Sequence, residues 1–210
     1  MPRSRLSPTR SNLVIIRQRL RLATEGHNLL EKKRDVLIME ILRMIDDAER
    51  VQRQVAERLA RGYAMMQRAR VMMGTERVRR FALSHPSGLD VRITPRSVMG
   101  VVVPSVHAQV PESHLSYGFG DTSVTLDQAQ REWAGVLALM GELAEKVTTV
   151  WRLALELRRT QRRVNALETI FIPSYLETLA YIEETLEEKD REELFRTKRA
   201  KAMHPEERQV

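Results

Sequence analysis

The histidines are the side chains best suited to metal binding or general-base chemistry, and their spacing predicts neither. The chain has five, His27, His85, His107, His114 and His204. No two lie three or four residues apart, the spacing that presents two imidazoles from one helix, and there is no His-Glu-x-x-His motif. His107 and His114 share a predicted loop, whereas His27 lies on a predicted helical seam and is expected to pack or to face a partner. The chain has no cysteine, which excludes thiolate metal sites and a cysteine nucleophile.

Nucleotide binding and acid–base catalysis are equally poorly supported by the sequence. The glycine-dense stretch is Tyr117-Gly118-Phe119-Gly120, and it lacks the Lys-Ser/Thr pair that a phosphate-binding P-loop requires. The acidic run near Glu183 is expected to be a solvated or partner-facing helix face. No serine lies in the context of an activated nucleophile. The sequence therefore predicts a non-catalytic protein without a metal or cofactor.

Basic side chains, mostly arginines, are the groups in this sequence best suited to binding a partner. Lys and Arg total 35 against 28 Asp and Glu, for a formal net charge of +7. Residues 1–34 hold nine basic and two acidic side chains, so this end alone accounts for the excess. A basic end favours nucleic acid, a membrane surface or an acidic protein partner. Aromatic residues make up only 5% of the chain, which disfavours a surface on which single-stranded bases stack.

A very long helix is predicted to position the first of these arginines. Proline is absent between Pro8 and Pro86, and a three–four alternation from Leu13 to Met72 meets apolar residues at fourteen of eighteen positions. That alternation is the heptad seam of a coiled coil. We expect Ser7 and Pro8 to begin the helix and Gly74 to end it in a left-handed conformation.

A second long helix is predicted from Thr125, where Thr125-Leu126-Asp127-Gln128 fits a capping box. Pro173 cannot donate a backbone N–H, so we expect a kink near it. The seam is expected to slip by about one position after Leu157 and to resume at Val164. The first part of this predicted seam is Trp133, Leu137, Met140, Ala144, Val147, Trp151, Ala154 and Leu157.

The two helices are expected to bury their seams against each other as an antiparallel hairpin. Opposite-charge matching favours a register in which paired residue numbers sum to roughly 200–206. It places the arginines of residues 17–21 near the acidic run that includes Glu183, and the acids of residues 46–49 near the arginines of residues 152–159. Pairing of these acids within their own helix is the alternative. The residues expected to form the coiled-coil seam are Leu13, Ile16, Leu20, Leu30, Leu37, Ile41, Met44, Leu157, Val164, Leu167, Phe171, Leu179, Ile182 and Leu186.

The middle of the chain has a different composition and predicts a small irregular or β-hairpin-containing segment. Val91–Thr94 alternates, Val98–Val103 is β-branched around Gly100, and prolines and glycines surround both. The predicted fold class is mainly α, a long antiparallel two-helix coiled-coil hairpin with this small segment in the middle. Its parts are residues 1–74 for the first helix, 75–124 for the middle connection, 125–201 for the second helix and 202–210 for a tail, in one coiled-coil domain.

Both helical segments resemble one protein family. The first resembles the N-terminal signature of the D subunits of the V-type and archaeal-type rotary ATPases at Pro8-Thr9-Arg10, Gly26-His27, Leu29-Leu30 and Lys32-Lys33-Arg34-Asp35. The second resembles the C-terminal signature of that family at Arg162–Glu168, Ile172-Pro173 and Arg191–Arg196 with Lys198. The resemblance covers both long helices and does not extend to residues 75–125.

This resemblance implies a central rotor shaft that carries torque between ion translocation in a membrane ring and ATP synthesis or hydrolysis. It implies that the paired helices enter a hexamer of alternating A and B subunits, where the ATP chemistry belongs. It also implies that the small F subunit packs on the shaft and that a funnel-shaped subunit joins it to the ring. The implied location is cytoplasmic and peripheral to the membrane, without nucleic acid or membrane insertion. The arginines expected to contact acidic stator loops are Arg10, Arg17, Arg19, Arg21, Arg158, Arg159, Arg162 and Arg163.

Two other interpretations stay open. A basic coiled coil that binds nucleic acid or an anionic membrane predicts steeply salt-dependent binding to DNA, RNA or anionic vesicles. A general structural coiled coil predicts self-association through the seam, which the size of the purified chain tests. The rotor interpretation predicts copurification with ATPase subunits.

Overall fold

The structure, a computed structural model, describes residues 7–84, 89–109 and 123–203. The predicted fold class is confirmed: the chain is mainly α-helical, with a long helix toward each end and one two-stranded antiparallel sheet in the middle. His85, His114, His204 and the stretch Tyr117–Gly120 lie outside the described residues. The elements are helix α1 (Arg10–Met73), helix α2 (Thr75–Ser84), strands β1 (Asp90–Val98) and β2 (Val101–Gln109), helix α3 (Val124–Ala166), a π-helical turn (Leu167–Phe171) and helix α4 (Ile172–Met203).

Helix α1 runs for 64 residues between two identifiable caps. Thr9 Oγ1 accepts a hydrogen bond of 3.2 Å from the backbone N–H of Asn12, so Thr9 is the N-cap and the predicted start at Ser7 and Pro8 is wrong. The end agrees with the prediction. Gly74 has φ +81° and its N–H bonds to the carbonyl of Arg70 at 3.0 Å, the left-handed ending that glycine adopts without steric cost.

Helix α2 follows Gly74 directly and is absent from the predicted elements. Its side chain Val78 forms a buried cluster with Ala69 and Leu126, and Phe81, three residues further along, packs against this cluster. Such a spacing places both on one helix face. The sequence prediction assigned this stretch to the middle segment, although the first proline of that segment is Pro86.

The chain divides into two compact bodies, to which α1 and α3 each contribute. The first comprises the described residues of Met1–Asp35 and Arg158–Val210, and the second those of Val36–Leu157. In the first body, Ile16, Val164 and Ile182 are buried. In the second body, Leu37, Ile41 and Leu153 form a further core cluster, against which Val98 and Val101 of the hairpin pack.

The predicted seam residues differ in burial. Those that are buried are Ile16, Leu37, Ile41, Val164 and Ile182. Those that are partly buried are Leu13, Leu20, Leu30, Met44, Leu157, Leu167, Leu179 and Leu186. Phe171 is 46% exposed and meets the ring of Tyr175 with a centroid separation of 6.4 Å.

The seam predicted for the first part of α3 is wrong between Leu137 and Ala154, whereas its end residues Trp133 and Leu157 are partly buried. Trp151 and Val147 are 66% and 53% exposed, whereas Thr149 and Leu153 are buried. The Thr149 hydroxyl donates a 2.7 Å hydrogen bond to the carbonyl of Glu145, so its polar group is satisfied inside the helix. A pattern that counts only apolar residues passes over a buried threonine and selects the outer face of α3 instead.

The pairing of charges follows the predicted register in only one of the two bodies. In the first, Arg10 with Asp190 and Arg17 with Glu183 give residue numbers that sum to 200. In the second, Asp47 contacts Lys146 at 3.8 Å, a pair that sums to 193, so the predicted placement of Asp47 beside residues 152–159 is wrong. Exposed ion pairs contribute only about 0–1 kcal/mol each, and buried apolar contacts therefore outweigh them in setting the register.

The π-helical turn ends two residues before Pro173, where a kink is predicted. The N–H of Ile172 bonds to the carbonyl of Leu167, five residues back. Proline has no N–H and its ring clashes with the carbonyl four residues back in a regular helix. A widened turn accommodates this residue while the helix continues.

Strands β1 and β2 pair from Asp90↔Gln109 to Val98↔Val101 around the two-residue turn Met99–Gly100. Both turn residues have positive φ, 51° and 77°, as the tight turn that matches strand twist requires. Pro95 lies opposite Pro104. Neither proline has an N–H to donate to the ladder, so this is a non-hydrogen-bonded pair. Such pairs recur at every second residue of an antiparallel ladder. Val102 and Val106 of β2, each two residues from Pro104, therefore direct their backbone N–H and C=O groups away from β1.

Candidate functional site

The N-terminal arginines face acidic side chains of α4 in the first body. Arg10 donates to the carboxylate of Asp190 at 3.1 and 3.2 Å, and Arg17 donates to Glu183 at 2.6 Å. Arg21 lies 3.9 Å from Glu25 of its own helix, and Arg19 is exposed. Part of the basic end is therefore neutralised within the chain.

A second group of arginines forms an exposed surface on α3. Arg158, Arg159, Arg162 and Arg163, here called the basic patch, are all exposed and surround the buried Thr160. Spacings of one, four and five residues gather four guanidinium groups within one and a half helical turns. This density of positive charge attracts carboxylates or phosphates. The structure does not bring the basic patch together with Arg10 and Arg17, which lie opposite Asp190 and Glu183.

The signature residues of α1 serve packing and charge pairing. Arg34 donates to Asp35 at 2.9 Å and to Glu31 at 3.2 Å. The hydrogen bond to Asp35, with smaller contributions from Glu31, raises the pKa of the Arg34 guanidinium above its ordinary value. His27 Nε2 is buried without a hydrogen-bond partner among the described residues and lies 4.0 Å from Glu168 Oε2 in the π-helical turn.

An exposed apolar stripe on α3 is a feature whose role sequence reasoning misjudged. Leu137, Met140, Val147 and Trp151, here called the outer α3 stripe, are 40%, 51%, 53% and 66% exposed. They belong to the seam predicted to face α1, and their heptad spacing suits packing against a helix. An exposed apolar surface of this kind is typical of a protein–protein contact. The heptad pattern identified these residues, but the prediction that they pack against α1 is wrong because they are exposed.

The described residues offer no constellation for catalysis or metal binding. Among them, no three His, Asp or Glu side chains are arranged to hold a metal ion. An open groove beside α1 is lined by Ala64, Gln67, Arg68, Val71 and Met72, which include no acid, histidine or hydroxyl. No helix in residues 7–84, 89–109 or 123–203 is both long and apolar enough to cross a membrane.

Comparison with known proteins places both helices and the hairpin in one family. A sequence model of the ATP synthase D subunit matches residues 12–202. The D subunit of the V-type ATP synthase of Thermotoga neapolitana is 40% identical over 196 residues, which is 93% of this chain and 97% of the relative. The D subunit of the A-type ATP synthase of Thermococcus sibiricus is 38% identical, covering 95% and 94%, and that of Methanopyrus kandleri is 40% identical, covering 93% and 85%.

Proposed function

Because the chain belongs to the family of ATP synthase D subunits, we propose that it is the central-stalk rotor subunit of a V-type or archaeal-type rotary ATPase. In this role it performs no bond chemistry. It transmits torque between ion translocation in a membrane ring and ATP synthesis or hydrolysis in a hexamer of A and B subunits. The observation that carries the proposal is α1, which runs for 64 residues without a break and has helical partners in both bodies.

Torque transmission follows from the stiffness and the asymmetry of paired helices. Two helices packed along a seam resist twisting better than one. In the second body, the outer α3 stripe makes one side of the pair of helices apolar and exposed, so this pair is not symmetric about its axis. Each rotary angle then presents a different surface to each catalytic interface. Contacts that differ between the open and closed forms of an interface bias its state, and the coupling is reciprocal.

The surfaces favour particular partners within the complex. The basic patch suits acidic loops of the A and B subunits, because guanidinium groups bind carboxylates through paired hydrogen bonds. The outer α3 stripe suits a helix of a neighbouring rotor protein, for which the small F subunit is our assignment. A funnel-shaped subunit on the membrane ring completes the shaft. The corresponding location is cytoplasmic and peripheral to the membrane.

Purification of the tagged chain from its native cell tests the assembly. We expect the A, B and F subunits and the funnel-shaped subunit to copurify. Replacement of Trp151 by Glu should remove the F subunit selectively, because a carboxylate in an apolar contact is left unpaired. Glutamate at the exposed position Tyr181 of α4, which is 49% exposed, is the matched control. Recovery of the chain without any ATPase subunit would overturn the proposal.

Charge reversal tests torque coupling separately from assembly. The double variant Arg158→Glu and Arg162→Glu should lower the number of rotations, or of ions moved, per ATP hydrolysed, and Arg131→Glu, an exposed residue on the same helix, should not. Unchanged coupling in a fully assembled complex would contradict the role of the basic patch.

Binding to nucleic acid or an anionic membrane is the competing function, and the basic patch is the observation that favours it. It predicts affinity for DNA, RNA or anionic vesicles that falls steeply with salt. The pairing of Arg10 and Arg17 with α4 carboxylates works against it, because these two cations are already neutralised. Gel-shift and vesicle-sedimentation assays at low and high salt distinguish the two functions.

A further inference from the structure

The β-hairpin is held on α3 by side chains that follow strand β2 along the helix. Glu145 Oε2 accepts a 2.7 Å hydrogen bond from the N–H of Val106 and a 3.3 Å bond from the Ser105 hydroxyl. Seven residues further along α3, Arg152 Nη1 donates to the carbonyl of Val102 at 2.8 Å. The same face of α3 therefore contacts β2 at two levels separated by two helical turns.

These side-chain bonds satisfy backbone groups on the outer edge of β2 that a neighbouring strand would otherwise pair with. The opposed Pro95 and Pro104 fix which residues of β2 turn their backbone groups outward, and Val102 and Val106 are among them. An unpaired strand edge leaves such groups to water or to another chain. Here a carboxylate and a guanidinium of α3 satisfy one outward N–H and one outward carbonyl.

Gly141 sets how closely the open end of the hairpin approaches α3. A β-carbon on Gly141 would lie 2.6 Å from the Ala108 β-carbon and 3.8 Å from its Cα. The Ala108 β-carbon is bonded directly to the backbone and cannot rotate away, so only glycine at position 141 lets the strand come this close to the helix. The strand thus lies directly on the helix backbone at this level.

The open end of the hairpin has few other contacts that keep it ordered. The residues of β1 are exposed from Asp90 to Ser97, so this strand contributes almost nothing to a core. An isolated two-stranded hairpin is at best marginally stable in water. Apolar packing is concentrated in the half of the hairpin next to the turn, where Val103 is fully buried and Val98 and Val101 pack on the cluster of Leu37 and Leu153. Order at the open end must then come from the contacts with α3.

Glu145 is the central side chain among these contacts. Besides the bonds from Val106 and Ser105, its other oxygen lies 3.4 Å from Arg96 Nη2 of β1. One carboxylate on α3 therefore holds both strands, and its side chain is only 20% exposed. Partial burial strengthens such charge-assisted hydrogen bonds relative to exposed pairs.

We propose that Glu145 is a latch that makes the order of the β-hairpin conditional on its docking to α3. With the carboxylate engaged, the ladder is closed along its whole length. Without it, the strands separate from their open ends toward the turn, while the apolar end near Val101 stays docked. The hairpin is then a segment that can change between order and disorder without unfolding the long helices.

Hydrogen–deuterium exchange of the full chain tests this latch. In the Glu145→Ala variant, the ladder-bonded amides of Arg92, Thr94, Ser105 and His107 should exchange about tenfold faster or more, with α1 and α3 unchanged. Glu145→Gln should give a smaller increase, because an amide oxygen still accepts from Val106 while the charge opposite Arg96 is lost. The matched control is Glu142→Gln, which removes a carboxylate that pairs with Lys146 on the same helix and should leave hairpin exchange within twofold of wild type.

A second variant acts from the hairpin side and leaves the helix intact. Val106→Pro removes the N–H that Glu145 accepts, at a position whose N–H does not take part in the ladder, and should reproduce the faster exchange of Glu145→Ala. The latch would be overturned by hairpin exchange within twofold of wild type in both variants. Faster exchange that spreads equally through α1 and α3, or an equal effect of Glu142→Gln, would overturn it as well.

Discussion

Trp133 lies over Gly62, and its Nε1 and Cε2 atoms are each 3.4 Å from the point that a β-carbon on Gly62 would occupy. Tyr63 meets the indole edge-on, at a centroid separation of 5.0 Å and an angle of 83°. Nε1 is buried and has no acceptor among the described residues. The indole is therefore held by the shape of the surface at Gly62 and Tyr63 rather than by a hydrogen bond.

A small and a large side chain at position 62 should change the free energy of unfolding in opposite directions. Gly62→Ala places a methyl at ordinary contact distance and gains helix propensity, so the free energy of unfolding should rise by up to about 1 kcal/mol. Gly62→Leu overlaps the indole and should lower it by about 1–3 kcal/mol. Urea unfolding measures both. Equal stability of the two variants would show that Trp133 does not fill this space.

Truncating a leucine to alanine should cost much more stability on the buried side of α1 than on its exposed side. Leu37 is fully buried against Leu153 and Ile41, so Leu37→Ala should cost about 2–5 kcal/mol of unfolding free energy. Leu42 is 58% exposed, and Leu42→Ala should change it by less than about 0.5 kcal/mol. Thermal unfolding of the purified variants provides the measurement. A small effect at Leu37 would contradict the assigned core.

The ion pair of Arg17 with Glu183 should contribute orientation rather than much stability. Both side chains are exposed to a large extent, 59% and 40%, so Arg17→Glu should cost only about 1 kcal/mol or less. Exchange of the charges, Arg17→Glu with Glu183→Arg, should restore most of that loss. The difference should shrink at high salt because exposed charges are screened. A double-mutant cycle at two salt concentrations would show no coupling if the pair does not form in solution.

Gly26 within α1 and Gly74 just after its end should respond to alanine with opposite signs. Gly26 has open space around its missing side chain, so Gly26→Ala should raise the unfolding free energy by about 0.5–1 kcal/mol. Gly74 has φ +81°, where a β-carbon is strained, so Gly74→Ala should lower it by about 1 kcal/mol. Denaturant titrations of both variants check the signs. Stabilisation by Gly74→Ala would contradict the left-handed ending of α1.

The parts of the fold that could be predicted from sequence are those fixed by local patterns. The long heptad alternation defined α1, and Gly74 marked its end. The outer stripe around Trp151 was mistaken for a buried seam because the residue that takes its place inside, Thr149, is polar and satisfies its hydroxyl through the carbonyl of Glu145. Periodicity alone cannot choose between two apolar stripes on one helix.

The exposed arginines were visible as candidates because charge is a property of each residue by itself. Glu145 carried no such signal. Its partners Ser105 and Val106 are about forty residues away in the chain, and one of them contributes only a backbone N–H. A role created by folding two distant segments together leaves no local pattern to detect.

The widened turn before Pro173 fixes the azimuth of everything that follows it. Each α-helical residue advances the chain by about 100° around the axis, and a π-helical turn takes up about one residue more than an α-helical turn. A regular α-helix over the same residues would therefore rotate all of α4 by about that angle. Ile182 would leave its buried position, and Glu183 would no longer point toward Arg17. The π-helical turn thus decides which side of α4 is buried along its 32 residues.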